Sequence, residues 1–367
     1  MRVLQFLHDQ QRGGVQKLAG MIEQGLAPRR IAIKTAYLYP RAGVPALLKP
    51  LHVLRMIGRI WRRDFEVLIA YQSTASVLVG VIGWLAGCRI RIVHQTCTPS
   101  EMPRLLRILD LVAGTLGLYT VNIANSVATW SEFARYPSLY RRSLILIEHG
   151  LDAPVPTRSR DAARRAFGLP ASRPVLLNVG RLAPQKNQDV LIRALACLPD
   201  AHLVIAGDGA ARDALYTLAE TLGVDDRLHL LGALAQDDIA DLYAAADLFV
   251  FPSVWETFGL APVEAAMVGL PMVVSDLATL REVLRTDGAE PVSFVAPHDT
   301  EGWISAVGKA LGAPVAPQIR GAFARAIGIK YSRQRMIESY LSLFDAYTRP
   351  QSGAVTGLPT AAEEARS

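Results

Sequence analysis

Short apolar or β-branched runs alternate along this chain with longer stretches in which apolar residues recur every third or fourth position. The runs predict strands at 3–8, 30–37, 67–71, 90–94, 121–124 and 144–147, then at 175–179, 202–206, 228–231, 248–251, 272–275 and 292–295. Helical stretches fill most of the gaps, and this alternation predicts an α/β chain with two parallel, doubly wound sheets. Ligands of such sheets bind beyond the carboxyl ends of the strands.

The longest apolar region, residues 67–87, is about long enough to span a bilayer, but Gln72, Ser73, Thr74 and Ser76 interrupt it near its start. It therefore reads as strand, turn and helix. Between 151 and 173 the chain passes Pro154, Pro156 and Pro170, which places the linker there. Two Rossmann-like domains are expected, 1–165 and 166–331, with a helix at about 332–349 that carries Ile337, Tyr340, Leu341 and Phe344 on one stripe. Residues 350–367 hold too little apolar surface to order themselves and are expected to be disordered.

With 367 residues, 51% hydrophobic and 20% charged, the chain is long enough for two full cores. Residues 1–9 contain one basic residue and an apolar run that ends at His8 and Asp9. That is a first strand rather than a signal peptide, so a cytoplasmic protein is expected. Cys88, Cys97 and Cys197 lie far apart and are expected to be reduced packing residues rather than metal ligands.

The net charge of +6 conceals an asymmetry, since residues 1–165 hold 23 Lys and Arg against 10 Asp and Glu, a net of +13, and the remainder carries −7. The basic half shows no zinc-finger spacing, aromatic RNA-binding strand or lysine-rich arm, which argues against nucleic acid. An anionic membrane surface or a phosphate-bearing lipid fits it better. At 49–63, His52, Arg55, Arg59 and Arg62 recur at helical spacing, with Val53, Leu54, Ile57, Ile60 and Trp61 largely on the other side. This basic amphipathic helix suits either a membrane surface or an ordinary sheet-covering role.

Candidate chemistry gathers in four places. Asn178 to Asn187 leaves a strand, turns at Gly180 and enters a helix, setting Arg181 and Lys186 at the sheet's carboxyl edge, where two cations suit a diphosphate. Phe251 to Glu264 carries Glu256 in a loop and Glu264 in the following helix; Gly259 permits close backbone approach and Leu260 opens the helix. Glu264 is placed to accept hydrogen bonds from ribose hydroxyls. Arg12-Gly13-Gly14-Val15-Gln16 opens the first helix, and Ile92-Val93-His94-Gln95 ends a strand in a histidine.

The order of Gly-Arg-x4-Lys, the Gly207-Asp208-Gly209 turn, the run 246–253 and Glu-x7-Glu resembles the retaining family-4 glycosyltransferases of the GT-B fold over most of residues 173–285. The resemblance implies that Arg181 and Lys186 grip a donor diphosphate and Glu264 holds the ribose. It sets Glu256 and the Phe258-Gly259-Leu260 backbone against the transferred sugar and phosphates, and the base near Gly207, Gly209 and Leu234. Gly14 would approach the donor, His94 would lie near its sugar, and the C-terminal helix would pack back onto the first domain. No Asp-x-Asp motif is present to hold a diphosphate-bound metal, so metal-independent turnover is expected.

Two segments depart from the family pattern. The chain reads Glu148-His149-Gly150-Leu151-Asp152 where Asn-Gly-Val-Asp is common, and Ser275-Asp276 is followed by the bulkier Leu277-Ala278-Thr279-Leu280. The expected reaction moves a sugar from a nucleoside diphosphate to an acceptor hydroxyl with retention. A saccharide or lipid-linked acceptor in surface polysaccharide or glycolipid assembly is expected, with the protein peripheral on the inner face of the cytoplasmic membrane. Two alternatives share the fold: a nucleotide-sugar epimerase, which needs no acceptor, and a non-catalytic sugar-nucleotide-binding protein.

Overall fold

Val67-Leu68-Ile69-Ala70 is buried at every position, the pattern of a central strand covered on both faces. It is β3 of a six-stranded sheet made of β1 (Arg2–Leu7), β2 (Ala32–Tyr37), β3 (Val67–Ala70), β4 (Ile90–His94), β5 (Val121–Ala124) and β6 (Leu144–Leu146). All its pairings are parallel, in the order β2-β1-β3-β4-β5-β6. A second sheet comprises β7 (Val175–Val179), β8 (His202–Ala206), β9 (Leu228–Gly232), β10 (Leu248–Phe251), β11 (Met272–Ser275) and β12 (Val292–Val295). It is also parallel, in the order β12-β11-β10-β7-β8-β9.

The computed structural model describes residues 1–348 except 9, 11, 12, 30, 41–43 and 63. Arg12 of the glycine turn and the tail expected to be disordered lie outside the described residues. Two units result, one of Met1–Gly150 with the segment from Arg333 on, the other Leu151–Ser332.

In the first unit the helix Ser73–Leu85 turns Ala75, Ser76, Val79, Gly80 and Gly83 inward. A Cβ on Gly80 would strike the Tyr119 ring, and one on Gly83 would strike Leu68 and Arg91, so these glycines set how closely the helix lies. No described helix is long and apolar enough to cross a membrane.

The helix Arg104–Thr115 faces the core with Asp110, Ala113 and Gly114 and presents Leu105, Ile108, Leu109 and Val112 to solvent. Its carboxylate is thus turned inward while several of its large apolar side chains face out. Asp110 accepts hydrogen bonds from the hydroxyls of Tyr119 at 3.0 Å and Tyr140 at 2.7 Å. Gln95 donates to both Tyr140 Oη and Asn122 Oδ1 at 3.0 Å. Burial pushes the Asp110 carboxyl up, against the lowering effect of Tyr140, Tyr119 and Gln95.

The basic helix, observed at Lys49–Trp61, buries Met56 and Ile60 but leaves Leu51, Leu54 and Trp61 exposed beside Arg55 and Arg59. The expected apolar stripe is therefore split between core and solvent. Cys88 and Cys97 pack against the core, whereas Cys197 is exposed and does not serve as a packing residue.

In the second unit a buried arginine governs the entry of the chain. Arg164, on the helix Arg160–Ala166, donates to the carbonyls of Ala245, Pro170, Ala171 and Arg173 at 2.9–3.1 Å and pairs with Asp247 at 2.6 Å. Asp241, fully buried, accepts from the backbone N–H groups of Thr157 at 2.6 Å and Arg158 at 2.9 Å. Residues 151–165, expected in the first domain, consequently fold with the second, and the division falls at Gly150 rather than at 165. Proline spacing marked the segment as irregular but could not show which core its cations would enter.

Asp110→Ala should destabilise the first unit by about 3 kcal/mol or more, because two buried hydroxyls lose their acceptor at about 1–3 kcal/mol each. Urea denaturation followed by tryptophan fluorescence measures this, and a loss under about 1 kcal/mol would show that water replaces the carboxylate.

Candidate active site

From β7 the second sheet runs to β8 and β9 on one side and, through β10, to β11 and β12 on the other. Ligands of doubly wound sheets bind at such a reversal, beyond the carboxyl ends. Lys186 follows β7 and Glu256 follows β10, and the two form an ion pair across this switch point. Their side chains are 14% and 10% exposed, so the pair is largely withdrawn from water. The ammonium also lies 4.9 Å from the centre of the Phe251 ring.

Local geometry explains how a flexible lysine is held there. After the turn Pro184–Lys186, Asn187 adopts the left-handed region at φ 52°, where asparagine is tolerated better than most residues. Its side-chain amide donates to the carbonyls of Pro297 at 2.7 Å and Pro252 at 3.2 Å. Gln185 donates to the Trp255 carbonyl at 3.0 Å and its own carbonyl accepts from Val254 N–H at 2.8 Å. The two loops are therefore sewn together by backbone and amide groups. Arg181 is exposed at the head of the first loop, 3.5 Å from Gln185 Oε1.

Glycine is required where the loop after β8 meets the loop after β7. Gly207, at φ +153°, would drive a Cβ into the Gly180 carbonyl, and Gly209 would drive one into the Leu182 carbonyl. The contact is sealed by Gly180 N–H to Ala206 O and Leu182 N–H to Asp208 O, each 3.0 Å. Gly207 also bonds to Gly232 at the end of β9, beyond which Leu234 is partly buried.

Gly259, at φ +89°, caps the helix Leu260–Met267. Glu264 on that helix is buried, and its Oε2 accepts from the Tyr243 hydroxyl at 2.9 Å. Burial and the adjacent Glu264 push the Tyr243 hydroxyl well above its usual value, so it remains a donor. One carboxylate oxygen is thus committed to the protein. Phe258 is buried edge-on to Tyr331 at 5.1 Å, which makes its side chain a core residue. Thr279, in the divergent segment and on the helix Ala278–Val283, donates to the Glu256 carbonyl at 3.0 Å, a contribution nothing in its sequence context indicated.

In the first unit Gly14 opens the helix Gly14–Leu26 just beyond β1 and is exposed. His94 ends β4 as expected, but it is enclosed. Its Nε2 lies 3.0 Å from the Tyr340 hydroxyl and its ring stacks on Tyr71 at 4.5 Å. Burial, with His149 nearby, lowers its pKa well below the ordinary histidine value. His149 stands in the divergent Glu-His-Gly segment, 3.1 Å from Asn125 Nδ2, and burial lowers its pKa to about 3. Tyr243 and Tyr340 were not recognisable beforehand, because each reads as an ordinary apolar-face residue of a helix.

Residues 159–317 match the family described as Glycosyl transferases group 1. Among curated relatives, D-inositol 3-phosphate glycosyltransferase of Mycolicibacterium smegmatis is 36% identical over 256 residues, 64% of this chain and 58% of the relative. Its counterpart in Mycolicibacterium vanbaalenii is 32% identical over 286 residues, 70% of this chain and 62% of the relative. The chain thus spans less than two thirds of these relatives' length. Among solved structures, sucrose-phosphate synthase from Thermosynechococcus elongatus superposes with a TM-score of 0.79 at 17% identity, over 94% of this chain and 98% of the other. HepE from Anabaena, solved in complex with UDP-glucose, gives 0.76 at 20% identity, over 94% and 100%. The fold is GT-B, with a glycosyl transferases group 1 region in the second unit.

Because His149 is neutral when folded and ordinary when unfolded, its contribution to stability is complete above about pH 6.5 and is lost as pH falls toward 3. Lowering the pH from about 6.5 to about 4.5 should therefore cost roughly 2–3 kcal/mol at this residue. His149→Asn should flatten the pH dependence by that amount in urea titrations, and an unchanged slope would refute the assignment.

Proposed function

We propose that this chain, with a glycosyl transferases group 1 region on a GT-B fold, is a retaining, nucleotide-sugar-dependent glycosyltransferase of family 4. The observation that carries this reading is the Lys186–Glu256 pair at the switch point of the second sheet. A cation already fixed at the carboxyl edge is suited to a diphosphate, and Arg181 supplies a second one from the same loop.

When a donor binds, Lys186 exchanges its carboxylate partner for the pyrophosphate, with Arg181 and the backbone N–H groups that open the helix Leu260–Met267. Glu256 then turns to the hydroxyls of the sugar. Glu264, held at Oε2 by Tyr243, binds the ribose, while Gly207, Gly209 and Leu234 border the base. As the bond from the anomeric carbon to the diphosphate oxygen breaks, charge grows on the diphosphate, and preorganised cations and dipoles lower the barrier. The acceptor hydroxyl attacks from the face the leaving group vacates, so configuration is kept without a protein nucleophile. A fold neighbour solved with UDP-glucose supports this class of donor.

The acceptor in this reading is a phosphate-bearing, lipid-linked saccharide of surface polysaccharide or glycolipid assembly. Residues 1–150 carry 19 Lys and Arg against 8 Asp and Glu, which suits an anionic partner. The named relatives act on D-inositol 3-phosphate, itself phosphate-bearing. Exposed Leu54 and Trp61 stand beside Arg55 and Arg59 on one helix, and Leu105 and Ile108 stand near Arg104 on another. This combination suits the surface of an anionic bilayer, and supports a reading in which the protein works on the inner face of the cytoplasmic membrane.

Isothermal titration with a panel of UDP- and GDP-sugars should find one donor whose Kd rises at least about tenfold in Lys186→Ala, about 1.4 kcal/mol. Mass spectrometry with membrane extract should then show sugar on an acceptor, undiminished by EDTA. Altered free sugar nucleotide would point to an epimerase, and abolition by EDTA would refute metal independence. Separately, Leu54→Asp with Arg59→Glu should reduce co-sedimentation with phosphatidylglycerol vesicles several-fold while leaving donor affinity unchanged; equal sedimentation would remove the membrane from the proposal.

A further inference from the structure

His94 is held on two sides by tyrosines of different origin. Tyr71, just past β3, stacks on it with the ring planes 24° apart. The Tyr71 hydroxyl donates to Gln5 Oε1 at 2.9 Å. Gln5 in turn donates to Thr35 Oγ1 at 2.8 Å and Glu23 Oε2 at 3.1 Å, so the Tyr71 side is fixed from ring to carboxylate. On the other side Tyr340, from the helix Arg333–Thr348, brings its hydroxyl to 3.0 Å from His94 Nε2. Histidine and both tyrosines are buried. His94 Nδ1, equally buried, has no hydrogen-bond partner among the described residues.

A neutral imidazole has one N–H donor and one bare nitrogen acceptor. If Nε2 carried the proton, it would donate to Tyr340 Oη, leaving both the tyrosine O–H and the bare Nδ1 buried and unmet. If the Tyr340 hydroxyl donates to Nε2, the proton resides on Nδ1 and one group alone is unmet. The second arrangement leaves fewer buried polar groups without partners and is favoured for that reason.

We infer that Tyr340 is a positioning residue that holds His94 as the Nδ1–H tautomer, reserving that N–H as a donor to a saccharide oxygen at the carboxyl edge of the first sheet. The tautomer follows from the protein alone; the identity of the oxygen rests on the sugar-transfer reading. Tyr340 touches no reacting atom and acts through the direction of its own proton. The Tyr71 stack sets the ring plane, and Tyr340 sets which nitrogen carries the hydrogen.

Nitrogen-15 correlation spectra of the histidine rings, with the His94 signals assigned by their loss in His94→Gln, should show Nδ1 protonated and Nε2 bare. Tyr340→Phe keeps the ring and removes the hydroxyl, and should shift His94 toward the Nε2–H form. With the donor identified above, the same change should lower kcat at least tenfold while the donor Kd moves less than twofold. His94→Asn, whose amide can set an N–H where Nδ1–H stands, should retain more activity than His94→Gln. A protonated Nε2 in the assigned wild-type spectrum overturns the inference even if Tyr340→Phe does not fold. Equal activity of the Asn and Gln variants overturns the donor role. Absence of transfer with every sugar nucleotide, beside an Nδ1–H spectrum, would instead defeat the glycosyltransferase reading and leave Tyr340's effect on the tautomer standing.

Discussion

An ammonium largely withdrawn from water needs an opposite charge, and the second unit answers that constraint with a carboxylate from a neighbouring strand end. Lys186 and Glu256 neutralise each other across the switch point of the sheet. Removing either partner from such a pair leaves a poorly solvated charge. Much of the surrounding architecture serves to keep the two loops in register. The left-handed Asn187 aims its amide at two carbonyls, Gln185 bridges to Trp255 and Val254, and Thr279 secures the backbone behind Glu256. A ligand that separates the pair must offer the lysine at least as much negative charge as it gives up, which favours multiply charged groups over single carboxylates.

Both units are six-stranded parallel sheets, but counted from each unit's own first strand the order is 2-1-3-4-5-6 in the first and 3-2-1-4-5-6 in the second, and their interiors differ as well. The second has a largely apolar core, into which Arg164 and Asp241 reach to fasten the incoming chain. The first places Asp110, Tyr119, Tyr140, Gln95 and Asn122 inside, linked by hydrogen bonds. That interior follows from the orientation of Arg104–Thr115, whose Leu105, Ile108, Leu109 and Val112 face water. A helix so arranged gives up burial of several large side chains, about 1.5–3 kcal/mol each if fully buried, in exchange for a polar brace and an apolar outer surface.

Strand positions and the alternation of elements were readable in the sequence because runs such as Val67 to Ala70 and Leu248 to Phe251 bury both faces and admit no polar residue. The loop positions of Arg181, Lys186 and Glu256 were readable as well, since each sits at a fixed offset from a strand end. What escaped was set by side chains meeting over long separations. No periodicity announces that Tyr243 will occupy one oxygen of Glu264, that Tyr340 will meet His94, or that Arg164 will enter the second core. In the helix 49–61 the hydrophobic pattern was correct, but which apolar residues reach the sheet depends on the helix's rotation, and Leu54 and Trp61 turned outward.

The return of the last helix to the first unit has a bearing on how the chain is made. Leu151–Ser332 is continuous and can condense while the ribosome is still translating, whereas the first unit lacks a structural member until its final helix emerges. Tyr340 is synthesised 246 residues after His94, a delay of roughly 10–50 seconds at elongation rates of about 5–20 residues per second. During that interval the β4 terminus is a site a chaperone can reach. A transcript cut short between the codons for Ser332 and Tyr340 would yield a polypeptide with every residue of its second unit and an unfinished first one.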